Sequence, residues 1–163
     1  TTNLVCAREL ALEFAAMTTD APIDLADAPR MLPTVTDENR EFWTGGAQGE
    51  LRIPRCGACG TWVWPPGARC AECDGDLHSE TGSGKGTVST STVNRHPYNP
   101  EIPLPYVIAI VELDEQVGLR LVTNVVNCDP EQVAIGMPVR VRFEDRGEVF
   151  VPVFEPDSDT ATS

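Results

Sequence analysis

Positive charge is scarce in this chain. Its 163 residues carry 12 Lys and Arg against 25 Asp and Glu, a formal net charge of −13, and no stretch is basic. Binding to a phosphate backbone runs on Lys and Arg displacing counterions, so a nucleic-acid partner is not expected. An anionic membrane surface is disfavoured for the same reason. Long apolar runs are missing too, and nothing approaches the ~18 consecutive apolar residues of a membrane-spanning helix. Thr1-Thr2-Asn3 opens the sequence without a basic stretch followed by an apolar one, so no signal peptide is expected. With no initiator Met, the sequence reads as a processed form or as a piece of a longer polypeptide. Histidine is limited to His78 and His96, and neither stands in a nucleophile–base arrangement. There is no G-x-S-x-G, no H-E-x-x-H and no phosphate-binding loop. Ser83-Gly84-Lys85-Gly86 lacks that loop's spacing and reads as a hinge, while Glu112, Asp114 and Glu115 read as strand-end and turn residues. No catalytic residue is assigned, and no cofactor-contacting one.

What the chain does have is glycine, proline and a change of pattern along its length. Leu4, Ala7, Leu10, Ala11, Phe14 and Met17 fall at helical spacing and predict an amphipathic helix over 4–17, followed by a Pro- and Asp-containing linker to residue 35. A second short helix is expected from Thr34 or Thr36 through Phe42-Trp43. Thr34-x-x-Asp37 offers its capping box and Gly45-Gly46 its stop. A brief strand at Leu51-Arg52-Ile53 leads into the cysteines, and Gly82-Ser83-Gly84-Lys85-Gly86 reads as a flexible joint. From there five strands are predicted: Thr87–Asn94, Tyr106–Leu113, Gly118–Val126, Pro138–Phe143 and Val149–Phe154. Five strands in about 70 residues, with a turn-rich 127–136 segment between the third and fourth, suit a small closed barrel of OB type. The expected division is a helix and linker (1–35), a helix and ribbon (36–83), a barrel (84–156) and a disordered polar tail (157–163).

Four of the six cysteines form two C-x-x-C pairs, Cys56/Cys59 and Cys70/Cys73. Each pair lets one tight knuckle present two thiolates to the same ion, and two knuckles complete a tetrahedron. Gly57, Gly60 and Gly75 allow close turns around the sulfurs. The competing readings are two disulfides or a redox pair, but redox motifs rarely come matched, and structural zinc is the expectation. Thiols used in this way point to a reducing cytoplasm. A four-Cys site leaves no coordination position for water, so its metal holds the chain in shape instead of activating a nucleophile. Cys6 and Cys128 lie outside the pattern and read as small packing residues.

Two segments could be interaction surfaces. Trp62-Val63-Trp64-Pro65-Pro66 places two large aromatics between the knuckles, either for a partner or for packing the ribbon onto the barrel. Pro97-Tyr98-Asn99-Pro100-Glu101-Ile102-Pro103-Leu104-Pro105 is held extended by its prolines, as a lid, an edge contact or a crossover.

The order of motifs resembles a known family. Phe42-Trp43, the C-x-x-C-G knuckle, Pro65-Pro66, the second C-x-x-C, Gly86-Thr87-Val88, Pro105-Tyr106-Val107, Val111-Glu112-Leu113-Asp114, Ile135-Gly136-Met137-Pro138-Val139 and Val151-Pro152-Val153-Phe154 follow in register. Over about residues 36–156 this is similar to acyl-CoA-associated proteins in which a rubredoxin-like zinc ribbon is fused to an OB-fold. In some relatives that module follows a hydratase-like domain of hot-dog fold. The resemblance implies a mainly β protein with N-terminal α-helices, acting as a non-catalytic subunit of a thiolase-superfamily enzyme. The implied partner is a thiolase-like, sterol-carrier-type subunit in a hetero-oligomer, with acyl-CoA bound at a shared site. The implied reaction is a retro-aldol cleavage in steroid side-chain degradation. It does not say which residues touch coenzyme A; Lys85, Arg95, Arg120, Arg140, Arg142 and Arg146 are the barrel's cations and read as strand-surface charges. Two other classes stay open from sequence: a single-stranded nucleic-acid module, which the acidic barrel disfavours, and an iron-loaded electron carrier.

Overall fold

The computed structural model describes Leu25 and residues 28–158. The helix expected over 4–17 and Cys6 lie outside the described residues, as does the end of the polar tail.

Asn39 organises the start of the first helix. Its Oδ1 accepts from the Thr36 N–H at 2.7 Å, and its Nδ2 donates to the Thr34 carbonyl at 3.1 Å. Helix α1 is therefore only Arg40–Thr44, shorter than expected. The Thr34-x-x-Asp37 box is not its cap, because Asp37 instead accepts from Arg40 Nη2 at 3.0 Å. Five residues cannot hold a helix by propensity; this one is fixed by Phe42, which is 3% exposed. Gly45 and Gly46 do not stop the chain either, but continue as a 3₁₀ turn, Gly45–Gln48, that closes at Gly49.

Strand β1 (Arg52–Cys56) pairs antiparallel with β2 (Leu77–Thr81), in register from Arg52↔Thr81 to Cys56↔Leu77. This two-stranded ribbon carries the cysteine knuckles at its far end. The barrel follows as β3 (Lys85–Asn94), β4 (Tyr106–Leu113), β5 (Arg120–Val125), β6 (Pro138–Asp145) and β7 (Phe150–Pro156). Its circular order is β3-β4-β5-β7-β6, closed by β3 against β6. All neighbours are antiparallel except β5 and β7, which meet in parallel at Val125↔Phe154. Strand β3 bends to serve two partners through a register shift between Val88 and Thr90. Along β4, Val107, Ala109, Val111 and Leu113 alternate into the core, the period-2 signature of a half-buried strand.

The ribbon has no core of its own. Phe42, Leu51 and Ile53 belong to the same buried cluster as Val88, Val111, Leu121, Val139 and Phe154 of the barrel. The Gly82–Gly86 stretch is correspondingly pinned. The Gly82 N–H donates to the Leu51 carbonyl at 2.9 Å, the Ser83 N–H donates to Glu115 Oε1, and the Val141 N–H donates to the Gly84 carbonyl at 2.7 Å. The expected flexible joint is thus a hydrogen-bonded seam. Asp157, expected to begin a disordered tail, is also fixed. Its side chain is 3% exposed and 3.3 Å from Lys85 Nζ, and its N–H donates to the Pro138 carbonyl at 3.0 Å. Among the described residues no helix is long and apolar enough to cross a membrane.

Phe154 sits at the β5–β7 closure with no exposed surface. Phe154→Ala should therefore cost about 3–5 kcal/mol in chemical denaturation. Val117→Ala, at a site 91% exposed, should stay within about 0.5 kcal/mol.

Candidate metal centre

The two knuckles are built alike. In the first, the Gly60 N–H donates to the Cys56 carbonyl at 2.9 Å; in the second, the Asp74 N–H donates to the Cys70 carbonyl at the same distance. Gly60 and Asp74, each four residues past the first cysteine of its pair, both take left-handed backbone, with φ of 76° and 56°. Short bridges, Arg55↔Trp62 and Arg69↔Asp76, close each knuckle behind its cysteines. Gly75 is the tightest point. A Cβ there would lie 2.8 Å from Cys56 Sγ and 3.2 Å from Cys73 Sγ, so a side chain would enter the sulfur cluster itself.

The four expected sulfurs converge. Cys56, Cys59, Cys70 and Cys73 place their Sγ atoms within 4.8 Å of one another, with 3.5 Å between Cys56 and Cys73 and 3.7 Å between Cys59 and Cys70. A tetrahedron with Zn–S bonds of about 2.3 Å has edges of about 3.8 Å, so the cluster has the size zinc requires. The same separations are far beyond the ~2.05 Å of a disulfide, and all four cysteines are free. Cys56 and Cys70 are buried, and Cys59 and Cys73 face outward.

Protons distribute unevenly over these sulfurs. Cys59 is lowered to about 6, first by the Thr61 side chain (3.2 Å from its Sγ) and then by the Thr61 backbone N–H. The Cys59 backbone N–H lowers Cys56 as well. Cys73 has a lowering hydrogen bond from Gly75, yet sharing a site with Cys56 and Cys59 carries it up to about 12. Four like-charged thiolates cannot stand together without a cation, and a divalent ion at their centre removes the conflict. Thr61 is a supporting residue that the cysteine spacing alone did not single out.

Other expected sites resolve into packing. Trp64 lies against Phe42 with ring centroids 4.2 Å apart, and Trp62 sits under Arg55 at 5.2 Å. Gln116, in the β4–β5 turn, clamps Trp62 from both sides. Its Oε1 accepts from the Trp62 N–H at 2.9 Å, and its Nε2 donates to the Trp62 carbonyl at 3.2 Å. The tryptophans thus seat the ribbon on the barrel. Ile102 of the proline loop and Tyr106 at the start of β4 pack against a small cluster of Leu25, Ala28, Val126 and Val153. Cys128 is half-buried against the core, its thiol raised by burial and by Asp129. Neither His78 nor His96 joins the sulfur cluster; His96 stacks edgewise on Tyr98 at 4.6 Å. Lys85, Arg95, Arg120, Arg140 and Arg146 each pair with a carboxylate: Asp157, Glu131, Glu112, Glu155 and Glu144. That leaves no continuous cationic track along the barrel.

One constellation had no sequence signal. Arg30 donates to Glu144 through Nε at 2.7 Å and Nη2 at 3.0 Å, and to Asn124 Oδ1 through Nη1 at 2.9 Å. Arg146 Nη2 reaches Glu144 at 3.1 Å and the Leu25 carbonyl at 3.0 Å. The Glu144 side chain is only 5% exposed.

Comparison with known proteins places this geometry. Residues 43–78 match a family model described as the ChsH2 rubredoxin-like zinc ribbon domain, and residues 80–144 match the ChsH2 C-terminal OB-fold domain. The chain is 37% identical over 147 residues to a probable enoyl-CoA hydratase alpha subunit of Thermomonospora curvata, covering 89% of this chain and 46% of that one. It is 35% identical over 151 residues to the 3-oxo-4,17-pregnadiene-20-carboxyl-CoA hydratase alpha subunit of Mycobacterium tuberculosis, covering 92% and 48%. The chain therefore spans about half the length of these curated relatives. Among solved structures, a chain of an Ltp2-ChsH2(DUF35) aldolase superposes with a TM-score of 0.68 at 38% identity, covering 77% of this chain and 98% of that one. The clustered cysteines and the ribbon match together make the zinc structural.

Zinc and protons compete for the same sulfurs. Zinc affinity, measured by chelator competition, should fall at least tenfold per unit as pH drops below 6, where Cys59 as well as Cys73 must lose a proton to bind. Cys70→Ser should abolish stoichiometric zinc and expose Trp62 and Trp64, seen as a red-shifted tryptophan emission.

Proposed function

This chain belongs to the ChsH2 (DUF35) family of zinc-ribbon and OB-fold proteins, and from that premise we propose that it is the accessory subunit of a thiolase-like acyl-CoA lyase. Cys56, Cys59, Cys70 and Cys73 hold its zinc, and the chain contributes surface to an acyl-CoA site without contributing an acid, base or nucleophile. The reaction served is a retro-aldol cleavage in steroid side-chain degradation, carried out in a cytoplasmic hetero-oligomer. A base on a thiolase-like, sterol-carrier-type partner removes the β-hydroxyl proton of a β-hydroxyacyl-CoA. The carbon–carbon bond breaks, a ketone leaves, and the electron pair passes into the thioester as an enolate, which is protonated to the shorter acyl-CoA.

The observation that carries this reading is coverage. The aldolase chain is matched over 98% of its length by this one, so the likeness takes in nearly the whole of that component. The closed site agrees with it. Four sulfurs complete a tetrahedron, and zinc so held supplies folding energy and no Lewis-acid position. On the same ribbon Trp62 and Trp64 pack, and Arg55 and Arg69 pair with carboxylates. The hydratase relatives are about twice as long, which agrees with a module that works attached to, or beside, other domains.

The test is reconstitution. The zinc-loaded chain alone should show no cleavage of a β-hydroxyacyl-CoA. Adding a thiolase-like partner should raise turnover at least a hundredfold over either component. Robust cleavage by the chain alone, or partner activity indifferent to it, would overturn the reading.

A further inference from the structure

A concavity of about 340 Å³ opens between the barrel and a strap formed by Leu25 and residues 28–30. Leu25 and Ala28 form one wall, Trp43 and Trp64 another, and Ile108 and Val122 present the outer faces of β4 and β5. Of the polar side chains in the lining, Arg30, Asn124 and Thr123 are already engaged. Arg30 is spent on Glu144 and Asn124, Asn124 Nδ2 donates to the Val107 carbonyl at 2.7 Å, and Thr123 Oγ1 donates to the Pro152 carbonyl at 3.0 Å. The surface offered to an occupant is therefore mostly carbon, and water held there gains few hydrogen bonds.

The strap wall is built deliberately. A buried carboxylate gripped by two arginines adds little net stability, since desolvation offsets the attraction; what such a network does supply is registry. Here both arginines of Glu144 fix the strap, Arg30 by lying in it and Arg146 by binding the Leu25 carbonyl. They share that task with the packing of Leu25 and Ala28 against Val126 and Val153. Size sets the ligand class. An apolar cavity of ~150 Å³ holds benzene, so this one suits a group on the order of a dozen carbon atoms.

We propose that this concavity is a binding site for the apolar part of a hydrophobic ligand, an acyl tail or alicyclic body of about that size, with its polar end toward solvent. The proposal rests on the accessory-subunit reading only for its choice of an acyl-CoA probe, and it is tested without a partner.

Two of the chain's three tryptophans line the site, so their fluorescence reports occupancy. The full zinc-loaded chain is titrated with 1-decanol, decanoyl-CoA and free coenzyme A. Decanol and decanoyl-CoA should each give a saturable change, and coenzyme A none. Ala28→Phe, which fills the wall, should weaken both at least tenfold with zinc content and circular dichroism unchanged. Should that variant lose its zinc or fold, Val122→Asp, at a position 74% exposed, places a charge in the site and should weaken both equally. No saturable change with either apolar probe, binding untouched by the folded variant, or coenzyme A matching decanoyl-CoA would overturn the proposal. None of these results depends on whether a partner confers lyase activity.

Discussion

Four sulfurs drawn to one point are the constraint on which the rest of this structure depends. The ribbon from Arg52 to Thr81 is too small to bury a core, and its two strands share only five residue pairs. An isolated two-stranded hairpin of that kind is marginal in water. Closing both knuckles on one ion contributes on the order of 10 kcal/mol to folding, more than the hairpin could supply itself. With the knuckles fixed, Trp62 and Trp64 are held at a defined place between them. From there they reach Gln116 and Phe42 and bring the ribbon into the barrel's own core. Metal, ribbon and barrel are consequently one folding problem.

The barrel supplies the complementary half. Its single parallel contact, Val125↔Phe154, and the β3–β6 pairing remove the exposed edges that five short strands would otherwise present. Closure also sets Arg142 and Glu144 of β6 beside β7, where Glu144 meets the strap at Arg30. The Arg30–Glu144–Arg146 network then anchors that strap. The cation inventory closes with little to spare, because most barrel cations are already matched to carboxylates. This is why an acidic chain on an OB-type barrel does not read as a nucleic-acid groove: stacking aromatics without a cationic track have no grip on phosphates.

What the sequence made legible was whatever is local. The cysteine spacing is decided within eighteen positions, and Cys56, Cys59, Cys70 and Cys73 come together as their knuckles predict. Tyr106–Leu113 is a strand to the residue, as its continuous apolar run ending in Glu112 and Asp114 predicts. Leu77–Thr81 escaped notice for the opposite reason: Leu77 is its one strongly apolar residue, and it becomes a strand only because the knuckles carry it back to β1. The early helix start at Thr34 failed because Asn39 Oδ1 takes the Thr36 N–H that a capping Thr34 would have accepted. Long-range polar contacts were invisible. Arg30 and Glu144 are 114 positions apart, and Lys85 meets Asp157 from the opposite end of the barrel segment. No periodicity encodes such pairs; they exist only once the barrel has closed.

The most direct test of this account is zinc-edge X-ray absorption on the folded protein. It should report one zinc per chain with four sulfurs at about 2.3 Å and no lighter ligand, the signature of a closed structural site. An oxygen or nitrogen in the coordination sphere, fewer than four sulfurs, or iron in place of zinc would contradict it.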